Sequence, residues 1–307
     1  MDSAPAGQRL HHFCDSTEKG SMELLCNGRR LDLSRPQVMG ILNITPDSFS
    51  DGGRFLGRDA ALRQAQQMAT EGAAILDVGG ESSRPGAAPV SLQQELDRVI
   101  PVVEALAAEL PLPLSIDTTK PAVMRAAVAA GAGMINDIMA LQQPGAVAAA
   151  AELAVPVVLM HMQGAPQTMQ QQPHYSDVVS EVGTFLRDRL AQCRAAGIAA
   201  SALLIDPGFG FGKRPVDNWQ LLQQLDQLAA IGAPLLVGIS RKSMLGHLLD
   251  QPVDQRLYGG VAATALAVWQ GARLIRSHDV AATCDAVAVA TAARTAGSDN
   301  MRREMTV

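Results

Sequence analysis

The stretch "LIDPGFGFGKRP", residues 204–215, is where a nucleotide-binding fold and a barrel part company. Three alternating glycines and a lysine suggest a phosphate cradle. A Walker A loop, however, needs a glycine five places before Gly212 and a hydroxyl after Lys213, where the chain has Pro207 and Arg214. The dinucleotide fingerprint fails as well, because Lys213 and Pro215 stand three places after Gly210 and Gly212. What remains is a short apolar strand ending in Asp206, followed by glycines that let the backbone turn sharply past a ligand.

That unit recurs. "VMGILNI", "AAILDVGG", "LPLSID", "GMINDI", "VPVVLMHM", "ALLIDPG", "PLLVGIS" and "ARLIRSHD" are eight short apolar runs. Between them, apolar residues fall at helical spacing, as in Leu92, Leu96, Val99, Val103 and Leu106, or Val179, Val182, Leu186 and Leu190. Ser91 with Gln94 forms a capping box, and Gly131, Gly197 and Gly232 stand where helices must stop in a left-handed turn. Strands that are apolar throughout, alternating with helices, imply an α/β chain with a parallel sheet covered by helices. Eight such units favour a closed (β/α)8 TIM barrel over a doubly wound sheet. Ahead of them, "MELLCNGRRLDL" reads as a β-hairpin turning at Asn27 and Gly28, expected to cap the N-terminal end of the barrel. Long loops follow the first two strands. The expected organisation is a flexible extension over 1–20, one barrel domain over 21–297 and a short tail over 298–307.

Composition narrows the partners. The 307 residues are 48% hydrophobic and 18% charged, with a net charge of −5. Nothing in this balance offers a basic footprint for nucleic acid or an anionic membrane surface. Four dispersed cysteines, Cys14, Cys26, Cys193 and Cys284, suggest neither a zinc site nor a disulfide framework, and a reducing cytoplasm is expected. No signal peptide or membrane span is legible, and His11 and His12 read as solvated.

Each apolar run ends in polar residues: Asn43, Asp77 or Glu81, Asp117, Asn136, His161, Asp206, Ser240 with Lys242, and Arg276 with His278. One alone would read as a helix cap. Together, at the C-terminal face of a barrel, they read as a site. Histidines are too few for a metal hydrolase, and Lys242 in "SRKS" stands at a helix start rather than inside a strand, which disfavours a Schiff base. Asp117, Asp206 and Asn136 suit a flat heterocycle with N–H donors along one edge. Arg276 and His278 suit an anion, and Asn43 is a hard oxygen ligand for a Mg2+ ion that bridges phosphate oxygens. The substrate therefore reads as a ring at one end and a phosphate or pyrophosphate at the other.

"GILNITPDSFSDGG", "DVGGESSRPGA", "SIDTTKP", "INDI", "LMHMQG", "IDPGFGFGK", "VGISRKS" and "RSHD" together resemble the dihydropteroate synthase family of folate biosynthesis, from about residue 22 to 297. The resemblance implies condensation of 6-hydroxymethyl-7,8-dihydropterin pyrophosphate with para-aminobenzoate, giving 7,8-dihydropteroate and pyrophosphate in an SN1-like order. It implies pterin contacts from Asp117, Asn136, Asp206 and Lys242, with Met160 on the ring's flank, and Asn43 as the Mg2+ ligand. Arg276, Ser277 and His278 would form the pyrophosphate site. Phe49, Ser83, Arg84 and Pro85 would order around para-aminobenzoate, whose carboxylate would meet Ser243 at a helix N-terminus. Asp117, Asp206, Lys242, Arg84 and Arg276 are the residues expected to serve catalysis.

The resemblance further implies sensitivity to sulfonamides and a homodimer joined through later helices, for which Ala-rich "GGVAATALAVWQGA" would suit close packing. The chain departs from the family pattern at Ser83, usually threonine, and in its N-terminal extension. Two alternatives are a methyltetrahydrofolate-dependent methyltransferase and a non-catalytic pterin-binding homologue. Neither would need "TPDSFSDGG", "SSRPG" or the set Asn43, Arg84 and Arg276.

Overall fold

A computed structural model describes residues 22–44, 53–83 and 86–296. The expected extension and tail lie outside the described residues, as do Phe49, Arg84 and Pro85. Two short strands, β1 (Glu23–Cys26) and β2 (Arg29–Asp32), pair antiparallel around Asn27 and Gly28. Both turn residues have positive φ, +49° and +82°, as a type I′ turn requires.

Eight parallel strands follow: β3 (Gln37–Asn43), β4 (Ile75–Gly79), β5 (Leu114–Asp117), β6 (Met134–Asp137), β7 (Val157–Met160), β8 (Leu203–Asp206), β9 (Leu236–Val237) and β10 (Leu274–Ser277). They are ordered β8-β7-β6-β5-β4-β3-β10-β9. A parallel bridge from Ile205 to Leu235, with the Ile205 N–H donating to Pro234 O at 3.0 Å, brings the two ends of that order together. The barrel expected from eight repeats is the fold observed.

Successive strand residues face opposite sides, so each strand serves two cores. Leu42, Val78, Ile116, Ile135, Leu159 and Ile205 face outward into the layer beneath the helices. Met39, Ile75, Met134, Val158, Leu204, Leu236 and Leu274 face inward and pack against Leu24, Cys26, Leu31 and Leu33 of the hairpin segment. The hairpin thus closes the N-terminal end of the barrel. Its approach is close enough that a β-carbon on Gly133 would lie 2.4 Å from the Cys26 carbonyl carbon.

The outer layer is formed by α1 (Gly53–Thr70), α2 (Leu92–Glu109), α3 (Pro121–Ala129), α4 (Ala146–Leu153), α5 (Val178–Ala195), α6 (Pro215–Gln223), α7 (Leu225–Ala229), α8 (Ser243–Leu249), α9 (Leu257–Trp269) and α10 (Val280–Thr295). The Ser91 and Gln94 capping box opens α2, and Val99, Val103 and Leu106 are buried on it, whereas Leu92 of the expected stripe is exposed. The α5 stripe is buried throughout. Gly131, Gly197 and Gly232 adopt φ of +116°, +92° and +95°, the left-handed stops read from the sequence. Among the described residues, no helix is long and apolar enough to cross a membrane.

Candidate active site

The site follows from the alternation that builds the floor. Two positions beyond Ile75, Met134, Val158, Leu204 and Leu274 stand Asp77, Asn136, Met160, Asp206 and Arg276, on the same inward face and one layer nearer the C-terminal mouth. A narrow cleft opens there, lined by Ile41, Ser83, Asp117, Asn136, Ile138, Met160, Asp206, Phe211, Gly238, Ser240, Lys242, Arg276 and His278.

Arg276 is the hub of one side. Its Nε donates to Asp77 Oδ2 at 2.6 Å and its Nη2 to Asp117 Oδ2 at 2.8 Å, while Asn136 Nδ2 also donates to Asp77 Oδ2 at 2.9 Å. Burial works against the Arg276 charge, but Asp77 and Asp117 outweigh it and hold the guanidinium pKa above its ordinary value. Burial pushes the Asp117 carboxyl up to about 7, against the pull of Arg276 and helped by the charges of Asp77 and Glu95.

Lys242 and Asp206 line the same cleft, within reach of the Arg276 charge. The Lys242 ammonium donates to Phe209 O and stands 4.2 Å from the centroid of the Phe211 ring, a cation–π contact. Burial lowers its pKa to about 8, opposed by the charge of Asp206. Burial likewise raises Asp206, against Lys242 and the Gly208 N–H that donates to its Oδ1 at 2.7 Å. Gly208 has φ of +67°, and a β-carbon there would lie 2.0 Å from His161 O, so only glycine admits this turn.

The lysine that ends the glycine stretch serves another purpose. Lys213 is buried, and its ammonium donates to Gly208 O at 2.9 Å, to Phe211 O at 3.0 Å and to His161 Nδ1 at 2.9 Å. Burial and the Lys213 charge drive the His161 pKa down to about 3, so a neutral ring accepts this bond. Lys213 ties the 208–212 turn from behind and presents nothing to the cleft.

A roomier groove of about 420 Å³ lies alongside, sharing Ser83, Asp117 and Ile138 with the cleft. Its charged groups satisfy one another. Lys120 pairs with Glu81 and with fully buried Glu95, which also accepts from Thr118 Oγ1 at 2.6 Å. Glu81 also accepts the Val90 N–H at 3.0 Å, which ties the base of the second loop. The reactive polar groups are therefore those of the narrower cleft.

Of the residues singled out in the sequence, Ser83, Asp117, Asn136, Met160, Asp206, Lys242, Arg276 and His278 meet on the cleft wall. Asn43 ends β3 beside Gly79, where its Oδ1 and Asp117 Oδ2 lie 3.8 and 3.7 Å from the place a Gly79 β-carbon would occupy. Ser243 is exposed as the first residue of α8, next to Lys242 but not itself lining the cleft. Ser277 faces outward, and its hydroxyl accepts from Thr283 Oγ1 at 2.8 Å and from the Asp279 N–H at 3.1 Å at the start of α10. His161 also faces outward and packs edge-on against Phe185, centroids 4.9 Å apart. Strand alternation accounts for both, since their neighbours Arg276 and Met160 face in. The sequence reading offered Asp77 only as an alternative to Glu81 and assigned no role to Phe211 or Ile138. Two residues after inward Ile75, Asp77 faces into the barrel, whereas Glu81 lines the neighbouring groove.

Among the described residues, no group of three or more His, Cys, Asp or Glu side chains could hold a metal ion. Asn43 nevertheless offers a hard oxygen at the end of β3, in keeping with Mg2+, which commonly takes one or two protein oxygens and completes its shell with water and substrate phosphates.

The profile of the pterin binding enzyme family matches residues 39–278. A dihydropteroate synthase of Haemophilus influenzae is 53% identical over 268 residues, covering 87% of this chain and 98% of the relative. A solved Xanthomonas albilineans dihydropteroate synthase with 4-aminobenzoic acid superposes with a TM-score of 0.85 at 56% identity, covering 90% of this chain and 99% of that one. Another structure of the Xanthomonas albilineans enzyme, in complex with 7,8-dihydropteroate, gives a TM-score of 0.81 at 54% identity, covering 89% and 98%.

Proposed function

This chain belongs to the pterin-binding enzyme family, among its dihydropteroate synthases, and we infer that the cleft at the mouth of its barrel is where the reaction takes place. That reaction joins 6-hydroxymethyl-7,8-dihydropterin pyrophosphate to para-aminobenzoate and releases pyrophosphate. The observation that carries the assignment to this cleft is its polarity. Arg276, braced by Asp77 and Asp117, shares the cleft with Asp206, Lys242, Asn136 and Met160.

Asp206 and Asn136 accept hydrogen bonds from the donor edge of the pterin, Lys242 donates to an acceptor on the ring, and Met160 packs against its face. Arg276, with His278, takes up charge as the pyrophosphate departs. Asn43 would hold Mg2+, which when bound would neutralise phosphate oxygens. Early departure leaves positive charge on the pterin methylene, and the Asp117 and Asp206 carboxylates stabilise it until the aromatic amine attacks. Ser83 and Phe211 flank the side from which the amine enters, together with Phe49, Arg84, Pro85 and Ser243 as the family resemblance implies. Pyrophosphate release that requires para-aminobenzoate and stops with EDTA tests the reading. Full release without the amine, or undiminished release in EDTA, would count against the synthase role and the metal role respectively.

Ionised Asp117 is needed to brace Arg276, so kcat/KM for the pterin substrate should rise with pH through about 7. Asp117→Asn should flatten that limb at a low rate; an acid limb unmoved in the variant would assign it elsewhere. The same shift makes Asp117 a liability to folding as pH rises. Folded and unfolded chains both hold the proton in strong acid, and the stability this group contributes is lost as pH climbs from the ordinary carboxylate range to about 7.

A homodimer is supported by the apolar surface of α8 and α9. Leu248, Leu249, Leu257, Tyr258, Leu266 and Trp269 are exposed there, Tyr258 to 85%. Tyr258→Lys should raise the dimer dissociation constant by about tenfold or more in sedimentation experiments. Unchanged sedimentation would remove this face as the interface.

A further inference from the structure

We propose that Asp77 is a specificity-determining positioning residue, which fixes the direction in which the Asn136 amide faces the cleft. Asp77 is wholly buried, and its Oδ2 accepts from both Arg276 Nε and Asn136 Nδ2. An amide can turn over at almost no steric cost, and its orientation is chosen by its partners. A carboxylate paired with a guanidinium has only acceptor oxygens to offer, so Asn136 must turn its NH2 to Asp77. Its carbonyl oxygen is thereby left for the ligand. Arg276 is what keeps Asp77 an acceptor, so the pyrophosphate end of the cleft and the ring end are set by one carboxylate.

The consequence is a row of acceptors, the Asn136 carbonyl flanked by the Asp117 and Asp206 carboxylates, all three on the cleft wall. Such a row takes a ring edge built of N–H donors and rejects one bearing a carbonyl. This deepens the pterin reading and rests on it. It ascribes the preference for a 2-amino over a 2-oxo pteridine in part to a residue that does not line the cleft.

The test compares 6-hydroxymethylpterin with its 2-oxo counterpart, 6-hydroxymethyllumazine, by calorimetric titration. The unaltered protein should bind the 2-amino ring tighter by about thirtyfold or more. In Asp77→Ala, Asn136 loses the oxygen that holds its NH2 while Arg276 keeps Asp117, so the amide is free to turn over and present N–H to the ligand. The affinity ratio should contract by about tenfold. In Asn136→Ala the ratio should also contract, through loss of 2-amino affinity alone, and adding Asp77→Ala should move it no further. A folded Asp77→Ala protein with an unmoved ratio overturns the proposal. So does an Asn136→Ala protein that loses both ligands equally, which keeps the proposal open to refutation even if Asp77→Ala does not fold. Failure of the unaltered protein to bind either ring would instead refute the pterin reading on which the proposal stands.

Discussion

Asp206→Asn is expected to weaken pterin binding by about 2 to 4 kcal/mol, roughly 30- to 1,000-fold, while leaving the fold intact. Asp206 is buried, and one of its oxygens already accepts the Gly208 N–H at 2.7 Å. An asparagine can keep that bond only by turning its NH2 to the ligand, where donor would meet donor. The loss is then a buried mispairing, more costly than the absence of one hydrogen bond. The folded protein should not suffer, because burial already disfavours the Asp206 charge and raises its pKa. Calorimetry on the variant should therefore show weak pterin binding beside an unchanged or higher melting temperature. Retained affinity would detach Asp206 from the ring.

Arg276→Met should damage both stability and turnover. It leaves Asp77, which is fully buried, and Asp117 without the cation that joins them, and breaking a buried ion pair from one side costs about 3 to 5 kcal/mol. Asp117 can shed part of that cost by taking up a proton, so the variant should lose less stability at low pH than at high pH. Turnover should fall by about 100- to 1,000-fold, the scale of losing one preorganised charge at a departing anion. Denaturant midpoints across pH, with single-turnover rates, test both halves. A variant as stable as its parent at pH 8 would mean that Asp77 and Asp117 do not depend on Arg276 for their charge balance.

The contrast between Asp206 and Asp77 shows what a strand sequence reveals and what it conceals. Asp206 was conspicuous because a glycine turn follows it at once. The β4 segment "ILDVG" is buried on both faces, and nothing within it says whether Asp77 looks into the barrel or toward the helices. The inward face is set by closure and by the hairpin packing on Ile75 from below, which are long-range events. The same ambiguity let His161 and Ser277 pass as site residues, although each faces outward beside an inward neighbour. Lys213 was misleading in another way. Its spacing from the glycines resembles a phosphate grip, whereas its burial among carbonyl oxygens makes it an internal tie. The barrel itself was legible, because eight repeats, helix stops and a hairpin turn are local signals that all agree.

This cleft should join two substrates and do more than break a pyrophosphate ester. Incubation with 6-hydroxymethyl-7,8-dihydropterin pyrophosphate and 15N-labelled para-aminobenzoate, followed by mass spectrometry of the products, tests it most directly. The expected result is 7,8-dihydropteroate carrying the label in proportion to the pyrophosphate released. Release of pyrophosphate with only the unlabelled pterin alcohol would contradict it.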